Sequence, residues 1–413
     1  MIGPSRIEES SLRYPGWRVV LACFLVEMFL FGFGLYGHAV YLAELQHLHG
    51  WPTALISAAS TLSFLLGSLL AVFANDAMVW MGPRRCLLAG ISALAASTTL
   101  LAFTTAPWQL YIAYMLMAFG WMGMGTVVIA TILSSWFEHR RGLAISLAFN
   151  GATFGGIVIA PVLVFLVSAI GFTSAMLTAS VAMVAFLLPT VVCLIHVPVP
   201  AKEWSESRAP NPSTSDVKAN PAGRSRWLLL RSFAFWSISA PFALALLAQV
   251  GFIVHQIAIL EPAMGRSLAA FAVAVTTTMA VIGRLCLGVF VDRLDPRLAT
   301  AASVVTQAAA LFAIAQTADA TLLFVACAVY GFSIGNLITL PPLIIHREFE
   351  PAAFGTVLGL STGIGGIISA FGPGLVGLMR GATGSYAAAL VLCLTLNLVS
   401  AAMILLRPRR AVG

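Results

Sequence analysis

The chain has 413 residues, 60% of them hydrophobic and only 9% charged, with 35 glycines and a net charge of +7. A soluble domain carries about 25% charged residues, so composition excludes a soluble enzyme, a nucleic-acid reader and a disordered chain, and places the protein in a lipid bilayer. The six cysteines all fall in apolar stretches with no CxxC pair and no histidine cluster, which reads as packing and not as disulfide or metal chemistry.

A helix needs roughly 20 mainly apolar residues to cross a bilayer. Applied along the chain, that length predicts an all-α membrane protein with twelve spans, at 17–43, 53–75, 86–105, 108–134, 142–169, 172–196, 229–257, 268–291, 298–317, 320–345, 354–378 and 385–406. The first is far longer than the apolar core of a signal peptide and has no clear cleavage site, so it is expected to be retained. Nineteen of the 22 cations fall in alternate connections: before the first span, at Arg84 and Arg85, at Arg140 and Arg141, in the central loop, at Arg293 and Arg297, at Arg347 and in the tail. Only Arg266 and Arg380 lie on the other side, and Arg284 lies inside the eighth span. Cytoplasmic loops are the basic ones, so both termini and the central loop are expected in the cytoplasm. The same asymmetry accounts for the net charge without a nucleic-acid partner.

Residues 198–227 form the one long polar stretch, rich in Pro, Ser and Asn, and read as a linker between a six-helix half at 1–197 and another at 228–413. The halves echo one another. Gly34-x3-His38-x5-Glu44 near the end of the first span returns as Gly251-x3-His255-x5-Glu261 in the seventh, and the Gly-rich stretch ending at Pro161 in the fifth returns before Pro373 in the eleventh. Two related six-helix bundles are the plan of rocking transporters, with a substrate site at the midplane between the halves.

At Gly288-Val289-Phe290-Val291-Asp292-Arg293-Leu294-Asp295-Pro296-Arg297 the chain resembles the major facilitator superfamily, whose signature loop reads G-x-x-x-D-R-x-x-x-R. The resemblance implies a cytoplasmic gate of Asp292, Arg293 and Arg297, with Arg84 and Arg85 in a degraded first-half copy that has Val79 at the usual acid position and Asp76 three residues early. Gly16-Trp17, and Trp136-Phe137-Glu138-His139-Arg140-Arg141-Gly142 followed by Gly151, Gly155 and Gly156, resemble the monocarboxylate and oxalate/formate transporter branch. Drug/proton antiporters of the same fold usually carry G-x-x-x-G-P-x-x-G-G in the fifth span. Here the proline is delayed to Pro161, which makes efflux of neutral or cationic compounds the second reading.

Ionisable groups inside a membrane are costly and usually functional. Arg284 offers a planar fork that matches a carboxylate, and monocarboxylate transporters place an arginine at the matching position, so a small organic anion is the expected substrate and Arg284 its first contact. The alternative is a structural pair with Glu27 or a helix-end carbonyl. That branch commonly has an Asp where this chain has Ala280, and a loose alignment of its first-span Lys lands on Leu35. The branch's usual proton carrier is therefore missing, and Glu27 is the substitute candidate. Glu27, Phe31, Gly34 and His38 share one helical face, which reads as a proton path or as a carboxyl hydrogen-bonded between helices. His38 and His255, at matching positions, are candidates for proton sensing or plain interfacial residues. Tyr36, Tyr114, Asn150, Gln256, Tyr330 and Asn336 are polar or aromatic groups in the spans, able to line a cavity or to bond across helices. No metal-ligand spacing occurs, and no cofactor is expected. The partners expected are the anion, a proton and the bilayer, with the chain working as a monomer. Arginine outnumbers lysine 20 to 2, a composition that points to a bacterial inner membrane.

Overall fold

The computed structural model describes residues 11, 14–71, 73–137, 140–195, 227–290, 294–350 and 353–407. The sequence-predicted linker lies outside these residues except for Trp227. A backbone in hydrocarbon must satisfy its own N–H and C=O groups, and a helix does so within one segment. Among the described residues, twelve helices are long and apolar enough to cross a membrane. They are Gly16–His49, Thr53–Ala71, Pro83–Ala102, Pro107–Trp136, Leu143–Ile170, Phe172–Leu194, Phe233–Met264, Arg266–Leu287, Pro296–Gln316, Ala320–Glu348, Thr356–Thr383 and Ala387–Ile404. They are numbered below in that order.

All twelve predicted spans are present, and the ends that move furthest are those of the first and the seventh. The first runs to His49 instead of 43, and the seventh to Met264 instead of 257. Hydropathy falls at Glu44 and Glu261, yet the helical ladder does not stop there, because both carboxylates find a partner in Arg266. Prolines open the third, fourth and ninth spans at the first turn, where the missing N–H costs nothing. Asp295 caps the ninth, its side chain accepting from the Arg297 backbone N–H, and Asp319 caps the tenth through the Leu322 N–H.

By backbone contact the described helices fall into two compact units: residues up to His38 with those from Leu69 through the sixth span, and Ala39–Ser68 with the seventh to twelfth spans. In the first unit the first and fifth spans touch backbone to backbone: a Cβ at Gly151 would lie 2.8 Å from the Phe24 carbonyl carbon. Both helices widen into one π-helical turn, at Gly32–Tyr36 and Gly155–Ile159, and the two turns pack against each other. Such turns leave backbone groups outside the regular ladder and are frequent at functional sites.

In the second unit the eighth and tenth spans also touch backbone to backbone. A Cβ at Gly283 would lie 2.8 Å from the Phe332 carbonyl carbon, and one at Gly335 2.8 Å from that of Ala280. Gly335 also interrupts the tenth span, separating Ala320–Ile334 from Asn336–Glu348. An apolar cluster including Phe235, Ile238, Leu340, Ile344 and Ile404 fills the linker-side half of this unit.

Candidate functional site

The glycine contact between the eighth and tenth spans brings Arg284 against the break in the tenth. Its Nε donates to the Gly335 carbonyl at 3.3 Å, and the side chain is partly buried. One turn earlier on the tenth span, Tyr330 is fully buried, its ring centroid 4.6 Å from that of Phe252 on the seventh. The Tyr330 hydroxyl has no hydrogen-bond partner among the described residues. Gln256, also on the seventh span, donates to Thr276 Oγ1 at 2.9 Å and lies 3.7 Å from Cys327 Sγ, so it cross-braces three helices. Asn336 donates to Ser303 Oγ at 3.2 Å, toward the ninth span.

At the end of this unit remote from the linker, His255 is completely buried and joined to three other elements. Its Nε2 lies 3.1 Å from both the Pro373 carbonyl and Ser57 Oγ, and its Nδ1 lies 3.2 Å from the Tyr386 hydroxyl. A carbonyl only accepts, so Nε2 carries the hydrogen in the neutral ring, and Nδ1 accepts from Tyr386. The Ser57 hydroxyl donates onward to the Thr53 carbonyl at 2.7 Å. Toward the same end, Arg266 pairs through Nη1 with Glu44 and through Nε with Glu261 at 3.0 Å. The two glutamates of the sequence echo therefore converge on one guanidinium.

In the first unit Glu27 is 1% exposed, and its Oε1 has no hydrogen-bond partner among the described residues. It sits just before the π-helical turn that contains Tyr36, itself buried. His38 packs edge-on to Tyr114 with ring centroids 4.7 Å apart, both fully buried. Asn150 is partly buried on the fifth span.

Of the sequence-predicted gate, Asp292 and Arg293 lie outside the described residues. Arg297 is buried and clamps four elements: Nε and Nη2 reach Glu348 at 2.6 and 2.7 Å, Nη2 donates to Ser237 Oγ at 2.9 Å, and Nη1 donates to the Ile404 carbonyl at 2.7 Å. Arg84 donates to the Val192 carbonyl at 2.9 Å, and Arg85 is exposed. Asp295 pairs with Arg407. Burial pushes the Asp295 carboxyl up, but bonds from Arg407 and the Arg297 backbone N–H outweigh it and hold the group below its ordinary value. Sequence reading did not single out Ser57, Tyr386 or Glu348. Only Glu348 left a signal, as a carboxylate at the linker-side end of an apolar run.

Twelve spans, a tenth helix interrupted beside an arginine, and polar side chains carried on buried helix faces describe a polytopic helical membrane protein. The family model described as Major Facilitator Superfamily matches residues 24–373, and the chain belongs to that family. Monocarboxylate transporter 13 of Rattus norvegicus is 26% identical over 386 residues, covering 91% of this chain and 85% of that protein. The MFS-type transporter pytF of Aspergillus terreus is 27% identical over 239 residues, covering 55% of this chain and 76% of that protein. Among solved structures, the D-xylose-proton symporter superposes with a TM-score of 0.76 at 11% identity, covering 94% of this chain and 97% of the other. The nucleoside transporter NupG superposes with a TM-score of 0.73 at 14% identity, covering 95% and 100%. At these identities the structural likeness establishes the fold alone.

Proposed function

We propose that the protein is a secondary transporter of a small organic anion of the monocarboxylate kind, working by alternating access with a co-transported proton. The observation that carries this reading is Arg284, a partly buried cation toward the linker-side end of the eighth span, its Nε held by the Gly335 carbonyl at the break of the tenth. A charge in a span is retained where it does work, and the guanidinium fork matches a carboxylate in shape and charge. Tyr330 supports the reading, since its buried hydroxyl is an orphan that a substrate oxygen would satisfy. The relative named as a monocarboxylate transporter agrees with this substrate class.

The proton is assigned to Glu27, a buried carboxyl with an unpartnered oxygen beside a π-helical turn. The two six-span halves at 1–197 and 228–413 then expose the bound anion to one side and afterwards to the other. Nineteen basic residues on one side favour cytoplasmic termini in a bacterial inner membrane. The second reading is efflux of a neutral or cationic compound; its efflux part is favoured by the relative named as the aspyridones efflux protein apdF of Emericella nidulans, 24% identical over 277 residues, covering 65% of this chain and 52% of that protein.

The test is uptake of labelled lactate, pyruvate, formate, oxalate and benzoate into proteoliposomes, with and without an inward proton gradient, for wild type and Arg284→Ala. Gradient-stimulated uptake of one acid, abolished by Arg284→Ala, is the expected result. Folded wild-type protein that carries none of these acids transfers the weight to efflux.

A further inference from the structure

The second unit contains a cavity of about 340 Å³ at its end remote from the linker, walled by Gln46 and His47 from the first span, Glu261 and Arg266 at the corner between the seventh and eighth, and Arg380 and Tyr386 between the eleventh and twelfth. That volume is at the small end for ligand sites, fitting a molecule of the size of a simple organic acid. We propose that it is a docking site for a small monoanion, held by Arg380 and Tyr386 and separate from Arg284.

The charges on the wall select the sign of the ligand. Arg266 is occupied by two carboxylates, Glu44 and Glu261, and those carboxylates are in turn engaged by Arg266. Arg380 makes no ion pair with a carboxylate among the described residues. Its guanidinium lies over the Tyr386 ring, 5.2 Å from the centroid. The Tyr386 hydroxyl also engages one of its N–H groups, and because a guanidinium carries five such donors, others can hold a planar oxyanion with charge-assisted bonds. A cation entering here would meet Arg380 uncompensated and find the glutamates already paired. The Tyr386 phenol is pushed up to about 12, chiefly by burial, so it remains a hydroxyl donor for a second ligand oxygen. Pro262 supplies an apolar wall for the body of the acid.

Docking in this cavity has a consequence inside the fold. The same Tyr386 hydroxyl lies 3.2 Å from His255 Nδ1, and His255 Nε2 ties the second span, through Ser57, to the Pro373 carbonyl of the eleventh. An anion that accepts the phenol hydrogen takes it from the imidazole, so occupancy of the cavity competes with one arm of a brace that joins four helical elements. The site does not depend on the role given to Arg284.

The experiment is equilibrium binding of radiolabelled benzoate to the purified full chain in detergent, for wild type, Arg284→Gln, Arg380→Gln, Tyr386→Phe and the double variant Arg284→Gln/Arg380→Gln. Arg284→Gln is expected to retain benzoate binding that the double variant weakens at least about 10-fold, the loss of one charge-assisted bond. Tyr386→Phe, which removes one hydroxyl and keeps the ring, is expected to weaken the same component several-fold, and it decides the question if Arg380→Gln fails to fold. Excess tetraethylammonium should leave the bound benzoate unchanged. No residual binding in Arg284→Gln overturns the proposal, as does residual binding unaltered by both Arg380→Gln and Tyr386→Phe, or displacement by tetraethylammonium. Failure of the anion reading at Arg284 is scored separately, as benzoate binding and uptake that Arg284→Gln leaves at the wild-type level.

Discussion

Removing the carboxylate of Glu348 leaves Arg297 as an uncompensated charge in one of the least accessible places of the second unit. The Arg297 side chain is 2% exposed against 26% for Glu348, so the arginine cannot turn to water when its partner goes. Two short contacts, at 2.6 and 2.7 Å, form a parallel bidentate pair, while Ser237 and the Ile404 carbonyl take the remaining donors. Breaking such a pair from one side costs about 3–5 kcal/mol, most of it the penalty of the stranded charge. Partial exposure of Glu348 admits some water once its side chain is shortened, so Glu348→Ala is expected near the low end, about 3 kcal/mol, roughly a 150-fold shift in the unfolding equilibrium. Arg297→Met removes the charge and takes the arginine donor from the carbonyls of Ile404 and Leu406, while the Ser237 hydroxyl keeps its bond to the Ala234 carbonyl. The double variant Arg297→Met/Glu348→Leu should be less destabilised than the sum of its singles by at least about 1 kcal/mol, because the stranded charge is then absent. Reversible denaturant unfolding in detergent micelles, followed by tryptophan fluorescence, measures all four corners of the cycle. Singles within about 0.5 kcal/mol of wild type, or a strictly additive double, would refute the clamp.

Tyr330→Phe deletes a buried hydroxyl without a partner among the described residues. Stability should therefore hold within about 1 kcal/mol, while the KM for the transported anion rises several-fold, as read by thermal unfolding and initial-rate uptake. Gly283→Ala and Gly151→Ala drive a methyl into a neighbouring carbonyl and should each cost about 1–3 kcal/mol, seen as loss of the monodisperse peak in size-exclusion chromatography. Gly359→Ala, with open space around the new Cβ, should be neutral or mildly stabilising. The Asp295 carboxyl, held below its ordinary value by Arg407 and the Arg297 N–H, adds stability that is full above about pH 4 and is lost as pH falls through the lower folded value. Asp295→Asn should therefore lower the unfolding midpoint at pH 7 by an amount worth less than about 1 kcal/mol, with the difference closing toward pH 3.

The spans were legible because hydrocarbon imposes one solution on the backbone, and composition alone announces it. Their ends were less so: Glu44 and Glu261 look like the edge of the membrane in a hydropathy reading, but pairing with Arg266 lets the helices run on. The recurrence of His and Glu in the first and seventh spans was visible, whereas the meeting of both glutamates on one arginine depends on tertiary packing that no local pattern records. Arg297 stood out through its motif, yet its partner Glu348 lies a whole span and more away in sequence. Asn336 shows the same limit, since helical period places it on a face without saying that Ser303 of the ninth span lies opposite. The π-helical turns at Gly32–Tyr36 and Gly155–Ile159 have no sequence signature beyond the glycines that begin them.

The most direct test of an anion held at the break of the tenth span is Arg284→Lys in the proteoliposome assay, with Arg284→Ala beside it. Lysine keeps the charge and loses the planar fork. A bidentate contact predicts that Arg284→Lys retains folding and some uptake, with KM raised at least about 10-fold, while Arg284→Ala carries none. Transport by Arg284→Lys with wild-type KM and maximal rate would contradict a guanidinium grip on the carboxylate.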